Sequence, residues 1–393
     1  MRRWLYLLLC LVSNLAPGAP LGSVERGAEA IPLGRLPDGV RPEHYNLVLK
    51  LDPTRELFEG EADIRVVLSQ ASDRIFLHGR GLEVSEVVAR TNEGDLLGSY
   101  RQVDVGGVAE VRFPLALEAG EAELRFRYRA RYSLKLEGLY KVIDQGRPYL
   151  FTQFESIFAR QMFPSFDEPG FKTPFAVTLE IPSSMEAIFN TPEVHRQEIA
   201  GIKRIRYQRT QALPTYLLAL VVGDIDIVNA KPIAPNDIRK TELALRGVAT
   251  KGKGKLMGYA LENTAPILEA LERYFGTPYP FEKLDLIAVP DFASGAMENA
   301  GAITYREQLL LIKDDAPLSQ KVAYTGTHTH ELAHQWFGNL VTPTWWDDIW
   351  LNEAFATWMA AKIAGEVRPQ FNFQHRIQSG AIVAMELDGL KSA

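Results

Sequence analysis

The chain has one cysteine, Cys10, in 393 residues. No intramolecular disulfide can form, and a closed, cysteine-rich structural zinc site is excluded. A basic surplus is also lacking. The formal net charge is −6, which argues against a nucleic-acid partner. Beyond the first twenty residues no apolar stretch reaches the roughly 20 residues that a membrane span needs. There is no internal repeat and no low-complexity tract. Hydrophobic residues make up 46% and charged residues 23%, an ordinary globular composition. Stability therefore has to come from buried apolar area, and the length allows two or three domains of about 100–200 residues each.

The first segment, MRRWLYLLLCLVSNLAPGAP, opens with Arg2 and Arg3, continues with an apolar stretch from Trp4 to Leu15, and ends in small residues from Ala16 to Ala19. That is the layout of a secretory signal peptide. Residues 1–19 are therefore expected to be removed on export. The mature protein would be periplasmic or extracellular, free of thiols and without a stable membrane span.

From about Ile31 to Ala244 the pattern is that of β structure. In HYNLVLKL, Tyr45, Leu47, Leu49 and Leu51 share one face at period two. In AELRFRYRAR, Leu124, Phe126, Tyr128 and Ala130 alternate with Arg125, Arg127, Arg129 and Arg131, which reads as the solvated face of a sheet. FAVTLEI, IKRIRYQ, YLLALVVG and TELALRG repeat the theme between turn residues. Residues 30–244 thus read as a mainly antiparallel β domain. After GVATKGKGK the period becomes helical from Leu256 to Phe275, with Gly276 and Pro278 as a stop. Two buried strands follow, LDLIAV and AGAITY, and then helices around 322–340 and 352–364. The fold class is α+β.

The first of these two helices contains His330-Glu331-Leu332-Ala333-His334. Four residues advance a helix by about 400°, so the two imidazoles share a face and can reach one ion, with Glu331 beside it. Glu353 follows after 18 intervening residues, in the first turn of the next helix, where helix pairing would bring it level with the histidines. Two histidines and one carboxylate leave a fourth tetrahedral position for water, the donor set of a catalytic Zn2+ ion. Such an ion lowers the pKa of water towards about 7 and polarises a carbonyl, and Glu331 is then the general base of a hydrolysis. His44, His78, His195 and His375 stand singly and carry no such pattern. His328 faces another side of its helix and reads as a neighbour of the site.

The run HELAHQWFGNLVTPTWWDDIWLNEAFATW, with GAMEN at Gly295–Asn299 and FTQFES and FPSFDEPGFK between Phe151 and Lys172, resembles the aminopeptidase-N-type gluzincin metallopeptidases. The resemblance covers essentially everything after the signal segment. It implies a partial thermolysin-like α/β catalytic domain over residues 245–393 and a zinc-dependent aminopeptidase acting on peptides with a free N-terminus. By the family pattern Glu298 and Glu155 anchor the substrate's ammonium, and Gly295 and Ala296 offer backbone groups to the peptide. Gln153, Met297 and Asn299 are counted with the substrate-binding residues. A carboxylate suits the anchoring task, since its attraction for an ammonium at 4 Å is about 4 kcal/mol at an effective dielectric of 20, before desolvation.

Two departures from the family pattern stand out. Thr327-His328-Thr329 is more polar than the small apolar residues usual before the first histidine. The family's oxyanion-stabilising tyrosine lies farther along than the 59 residues that follow His334, and so does its large helical C-terminal domain. Losing an oxyanion donor costs about 10²–10³ in rate, and apolar residues such as Leu332, Trp336 and Leu340 are expected to lack cover. The expectation is a portion of a longer enzyme. Two other readings remain: a chain that binds peptide or zinc without turnover, and an epoxide hydrolase on the same scaffold, as in the leukotriene hydrolase branch.

Overall fold

The computed structural model of the protein describes residues 31–92 and 94–389. The signal-peptide segment lies outside them. Its elements belong to one compact unit that begins at Pro32.

Alternation builds the first part as the sequence suggests. Tyr45, Leu47, Leu49 and Leu51 are all buried, as are Leu124, Phe126, Tyr128 and Ala130. They sit in an eight-stranded sheet ordered Glu193–Ile199, Ile202–Tyr207, Phe175–Pro182, Val40–Lys50, Leu57–Leu68, Gly120–Arg131, Glu83–Thr91, Gly94–Leu97. Every pairing in it is antiparallel except that of Val40–Lys50 with Phe175–Pro182. The arginine row lies between acidic neighbours: Arg125 pairs with Asp63 at 2.7 Å, Arg129 with Glu83 at 2.6 Å and Arg131 with Glu56 at 3.0 Å. These partly to largely exposed pairs contribute little stability each; their effect is to keep the outer face wet. Two smaller antiparallel sheets complete this part. One includes Arg147–Gln153 and Leu220–Gly223, and the other is built on Ser72–His78 and Val108–Leu117.

The sheet of the second part begins earlier than the sequence suggests. TELALRG, expected in the β domain, supplies the strand Ala244–Thr250, which pairs parallel with Lys283–Val289. Ile225–Asn229 joins it antiparallel on the outer side. The resulting order is Ile225–Asn229, Ala244–Thr250, Lys283–Val289, Ala302–Arg306, Ala296–Met297. Period two could not reveal this, because a buried strand reads alike whichever sheet receives it. Lys283–Val289 is buried along its whole length, as a central parallel strand requires.

Among the described residues five helices accompany this sheet: α1 (Gly258–Phe275), α2 (Glu307–Leu310), α3 (Leu318–His334), α4 (Ile349–Val367) and α5 (Phe373–Asp388). α1 stops at Gly276, which takes a left-handed φ of 65°, the usual glycine cap. α3 stops at His334 instead of running on to Leu340. The chain folds back there: Asn339 N donates to His334 O at 3.0 Å, Gly338 N to Val341 O at 2.7 Å and Val341 N to Trp336 O at 3.0 Å. Leu332 and Trp336 are buried among α1, α4 and the sheet residues, while Leu340 is 46% exposed. Of the three apolar residues expected to lack cover, two are therefore covered within this unit. No helix among the described residues is long and apolar enough to cross a membrane.

Candidate metal and amino-terminus site

The end of α3 and the first turn of α4 bring three side chains to one point. His330 Nε2 and His334 Nε2 are 3.0 Å apart. Glu353 Oε2 lies 3.3 Å from His330 Nε2, and Glu353 Oε1 lies 3.7 Å from His334 Nε2. Ligands at about 2.0–2.1 Å from a tetrahedral zinc are separated by about 3.3 Å, so the spacing fits that ion to a few tenths of an ångström.

The tautomer of His334 strengthens the fit. Its Nδ1 lies 3.0 Å from the carbonyl oxygen of Phe337, and a carbonyl can only accept. Nδ1 therefore carries the proton, and Nε2 presents a lone pair towards His330 and Glu353. The backbone that supplies this carbonyl depends on Gly338, whose φ is 133° and whose absent Cβ would meet His334 Nδ1 at 3.0 Å and Asn352 Nδ2 at 3.3 Å. The Nδ1 of His330 has Thr357 Oγ1 at 3.4 Å.

A second group adjoins the first. Carboxylate oxygens of Glu155, Glu298 and Glu353 all lie within 4.8 Å of one another. Glu155 follows the strand Arg147–Gln153 of the first part, and Glu298 follows the edge strand Ala296–Met297 of the second. Glu331, buried, faces the same charges. Burial, and then the charges of Glu298 and Glu353, push Glu155 up to about 9. Burial likewise carries Glu298 to about 7 and Glu331 well above the ordinary carboxylate value. Glu353 runs the other way, held low chiefly by its hydrogen bond with His330. Four acids crowded in this manner favour a cation, or several, among them.

A cleft of about 1,380 Å³ opens onto His330, Glu331 and Glu353. Gly295, Ala296, His330, Glu331 and Glu353 line it, with small and aromatic residues such as Ala354 and Trp358 beyond them. Ala296–Met297 is the edge strand of its sheet, a position from which an extended peptide can add as a further strand. Gln153, Glu155, Met297, Glu298 and Asn299 are not among the cleft's lining residues. Met297 is in the core, with Gln153 Nε2 at 3.4 Å from its sulfur, and Asn299 Nδ2 donates to Thr304 Oγ1 at 3.1 Å. Gln153 is buried, and its Oε1 has no partner among the described residues.

His328 belongs to another network. Thr264 Oγ1 donates to Ala260 O at 2.8 Å, so it accepts from His328 Nε2 at 3.0 Å, and His328 Nδ1 then accepts from Tyr305 OH at 2.7 Å. Burial takes this imidazole down to about 3, and it stays neutral as a strut between α3, α1 and the sheet.

Several supporting residues escaped the sequence reading. Gln335 Nε2 and Asn339 Nδ2 both donate to the carbonyl of Glu298, at 2.9 and 2.8 Å. Lys172 Nζ donates to the carbonyls of Asn339 and Leu340 at 2.9 and 3.0 Å. Asn190 spans the two parts: its Nδ2 donates to Leu217 O at 2.8 Å and Ala300 O at 2.9 Å, and its Oδ1 accepts from Ala219 N at 2.8 Å. Gln335 and Asn339 stand directly behind the H-E-x-x-H run, which was a signal. Lys172 ends the FPSFDEPGFK segment, which signalled the family without signalling this contact, and Asn190 gave no signal.

Two family models match the chain. The peptidase M1 N-terminal domain covers residues 41–217, and the peptidase family M1 domain covers residues 259–393. The chain belongs to peptidase family M1. Among similar M1-type relatives is aminopeptidase M1-D of Oryza sativa subsp. japonica, 36% identical over 363 residues, which are 91% of this chain and 40% of that protein. Endoplasmic reticulum aminopeptidase 1 of Homo sapiens is 35% identical over 378 residues, 91% of this chain and 39% of that protein. The puromycin-sensitive aminopeptidase of Caenorhabditis elegans is 32% identical over 375 residues, with shares of 93% and 39%. This M1 chain thus spans about two fifths of the length of the relatives it matches.

Proposed function

We propose that the protein is a zinc aminopeptidase, removing N-terminal residues from peptides. The observation that carries this reading is the meeting of His330, His334 and Glu353 beside the carboxylates of Glu155 and Glu298. The first three would hold one Zn2+ ion and the last two the substrate's ammonium. The relatives' names support the same activity.

When bound, zinc supplies a Lewis acid for water and for the scissile carbonyl. The chain's own residues do the rest. Glu331 takes the proton from the attacking water and delivers it to the departing amine. Glu155 and Glu298 set the register by gripping the free amino end, so that the first peptide bond meets Glu331 and the metal. Gly295 and Ala296 steady the peptide through backbone hydrogen bonds at the edge strand. An endopeptidase has no use for the two anchoring acids. Export to the periplasm or the cell exterior, argued from residues 1–19, is part of the proposal.

The test combines zinc determination by elemental analysis with turnover of an aminoacyl p-nitroanilide and its N-acetylated counterpart. The reading requires about one zinc per chain and cleavage of the free amine only. Equal cleavage of the acetylated compound, or a zinc-free active protein, would refute it.

A further inference from the structure

Gln335, one residue past the second histidine, is fully buried, and its carboxamide joins two stretches of backbone. Nε2 donates to the carbonyl of Glu298 at 2.9 Å and to the carbonyl of Glu331 at 3.1 Å, while Oε1 accepts from Gly301 N at 3.4 Å. A carboxamide nitrogen has two hydrogens, and here both are engaged. One nitrogen thus ties the main chain of the proposed base to the main chain of an anchoring acid.

Asn339 adds a second strut. Its Nδ2 donates to the same Glu298 carbonyl at 2.8 Å, which occupies the second lone pair of that oxygen. Asn339 Oδ1 is buried and has no partner among the described residues. A bare buried acceptor is destabilising, so packing alone would favour an apolar side chain at this place. The contact with Glu298 is what the carboxamide contributes. Asn339 N also donates to His334 O at 3.0 Å, so both struts start at the histidine end of α3 and end on the anchor. The Glu298 carboxylate itself has a free side, for its Oε1 has no partner among the described residues. Where that carboxylate sits therefore follows from where its backbone is held.

We propose that Gln335 and Asn339 are positioning residues that fix the distance from the amino-terminus anchor to the base and the metal ligands. They thereby select substrates whose amine stands one carbon from the scissile carbonyl. The inference rests on the aminopeptidase reading and deepens it, naming α-amino peptides as the substrate class against β-amino peptides. A β-amino residue carries its ammonium one carbon–carbon bond farther out, about 1.5 Å at most. An anchor on a loose backbone would follow that displacement. One whose carbonyl is gripped by two struts from α3 does not, and a mismatch of this size is costly in a positioned site.

The experiment is calorimetric titration of the zinc-loaded protein, of Gln335→Met and of Asn339→Ala with L-leucinamide and with L-β-homoleucinamide, alongside zinc determination and thermal melts. Gln335→Met keeps the length of the side chain and removes its hydrogen bonds. Asn339→Ala removes a side chain with a single polar contact, and it carries the test should the buried Gln335 change unfold the protein. The unaltered protein is expected to favour L-leucinamide. In the folded variants the ratio of the two affinities is expected to narrow about tenfold or more, with zinc content unchanged. An unchanged ratio, whether both affinities hold or fall together, marks a merely structural role and overturns the proposal. So does an unaltered protein that binds the two amides equally. If the unaltered protein binds N-acetyl-L-leucinamide as tightly as L-leucinamide, the amino-terminus pocket itself is refuted, a separate outcome.

Discussion

At the scale of single residues the site is governed by which atoms are free to donate or accept. The proton on His334 Nδ1 is committed to Phe337 O, so the other nitrogen is a ready ligand. Glu331 lies next to these residues in sequence, and the proposal gives it a different task. Glu331→Gln is therefore expected to retain zinc at wild-type stoichiometry while turnover falls by about 10²–10⁴; elemental analysis beside a p-nitroanilide assay checks both. Glu155→Gln should act on recognition, raising KM for free-amine peptides with a smaller change in kcat, as removal of uniform binding does. Steady-state kinetics on one amine substrate separates the two constants, and an effect confined to kcat would contradict the anchoring role.

A third residue-scale prediction concerns pH. Asp285 is fully buried between Arg246, which reaches it through two nitrogens at 2.7 and 2.6 Å, and Lys283 at 2.7 Å. Burial alone would raise its carboxyl, but Lys283 and Arg246 outweigh that and hold it below the ordinary value. A carboxyl whose folded pKa is depressed stabilises the fold above its unfolded pKa, about 3.9, and loses that contribution as pH falls through the folded value. Asp285→Asn is expected to cost about 3–5 kcal/mol at pH 7, with the gap to the unaltered protein shrinking below about pH 4. Denaturant melts at pH 7 and pH 3.5 would show it, and a constant gap would contradict it.

At the scale of elements, the α3–α4 connection decides whether the ligands meet. Gly338 permits the reversal that places Phe337 O on His334 and lets Asn339 cap the helix. Gly338→Ala puts a Cβ against His334 Nδ1 in a backbone region that costs of order 1–3 kcal/mol for other residues. We expect a lower melting temperature and weaker zinc retention during chelator titration, and wild-type values for both would be evidence against this account. The His330–His334 spacing was legible in the sequence because helical periodicity fixes it locally, and Glu353 because it stands in the first turn of the next helix, which pairs with α3. The end of α3 was less so: its apolar pattern runs on through Trp336 and Leu340, and only the left-handed φ at Gly338 tells where the chain turns. The edge strand Ala296–Met297 is two residues long, too short for any period to mark.

At the scale of the whole molecule, the β part is more than a support. It supplies Glu155, while Asn190 fastens its segment at Leu217–Ala219 to Ala300, one residue past Asn299. The sheet that carries the site recruits Ile225–Asn229 and Ala244–Thr250, so the boundary between the parts is crossed by both strands and side chains. The link from Asn190 to Ala300 joins residues 110 positions apart, which sequence order does not reveal. Glu155 and Glu298 came into view through resemblance to a family; their proximity is a property of the fold.

The central claim is that one zinc ion is gripped by His330, His334 and Glu353. Anomalous diffraction at the zinc edge, on crystals of the purified protein, tests it most directly. The account predicts a single strong peak about 2.0–2.1 Å from Nε2 of both histidines and within bonding distance of a Glu353 oxygen. A peak elsewhere, or none from protein supplied with zinc, would contradict it.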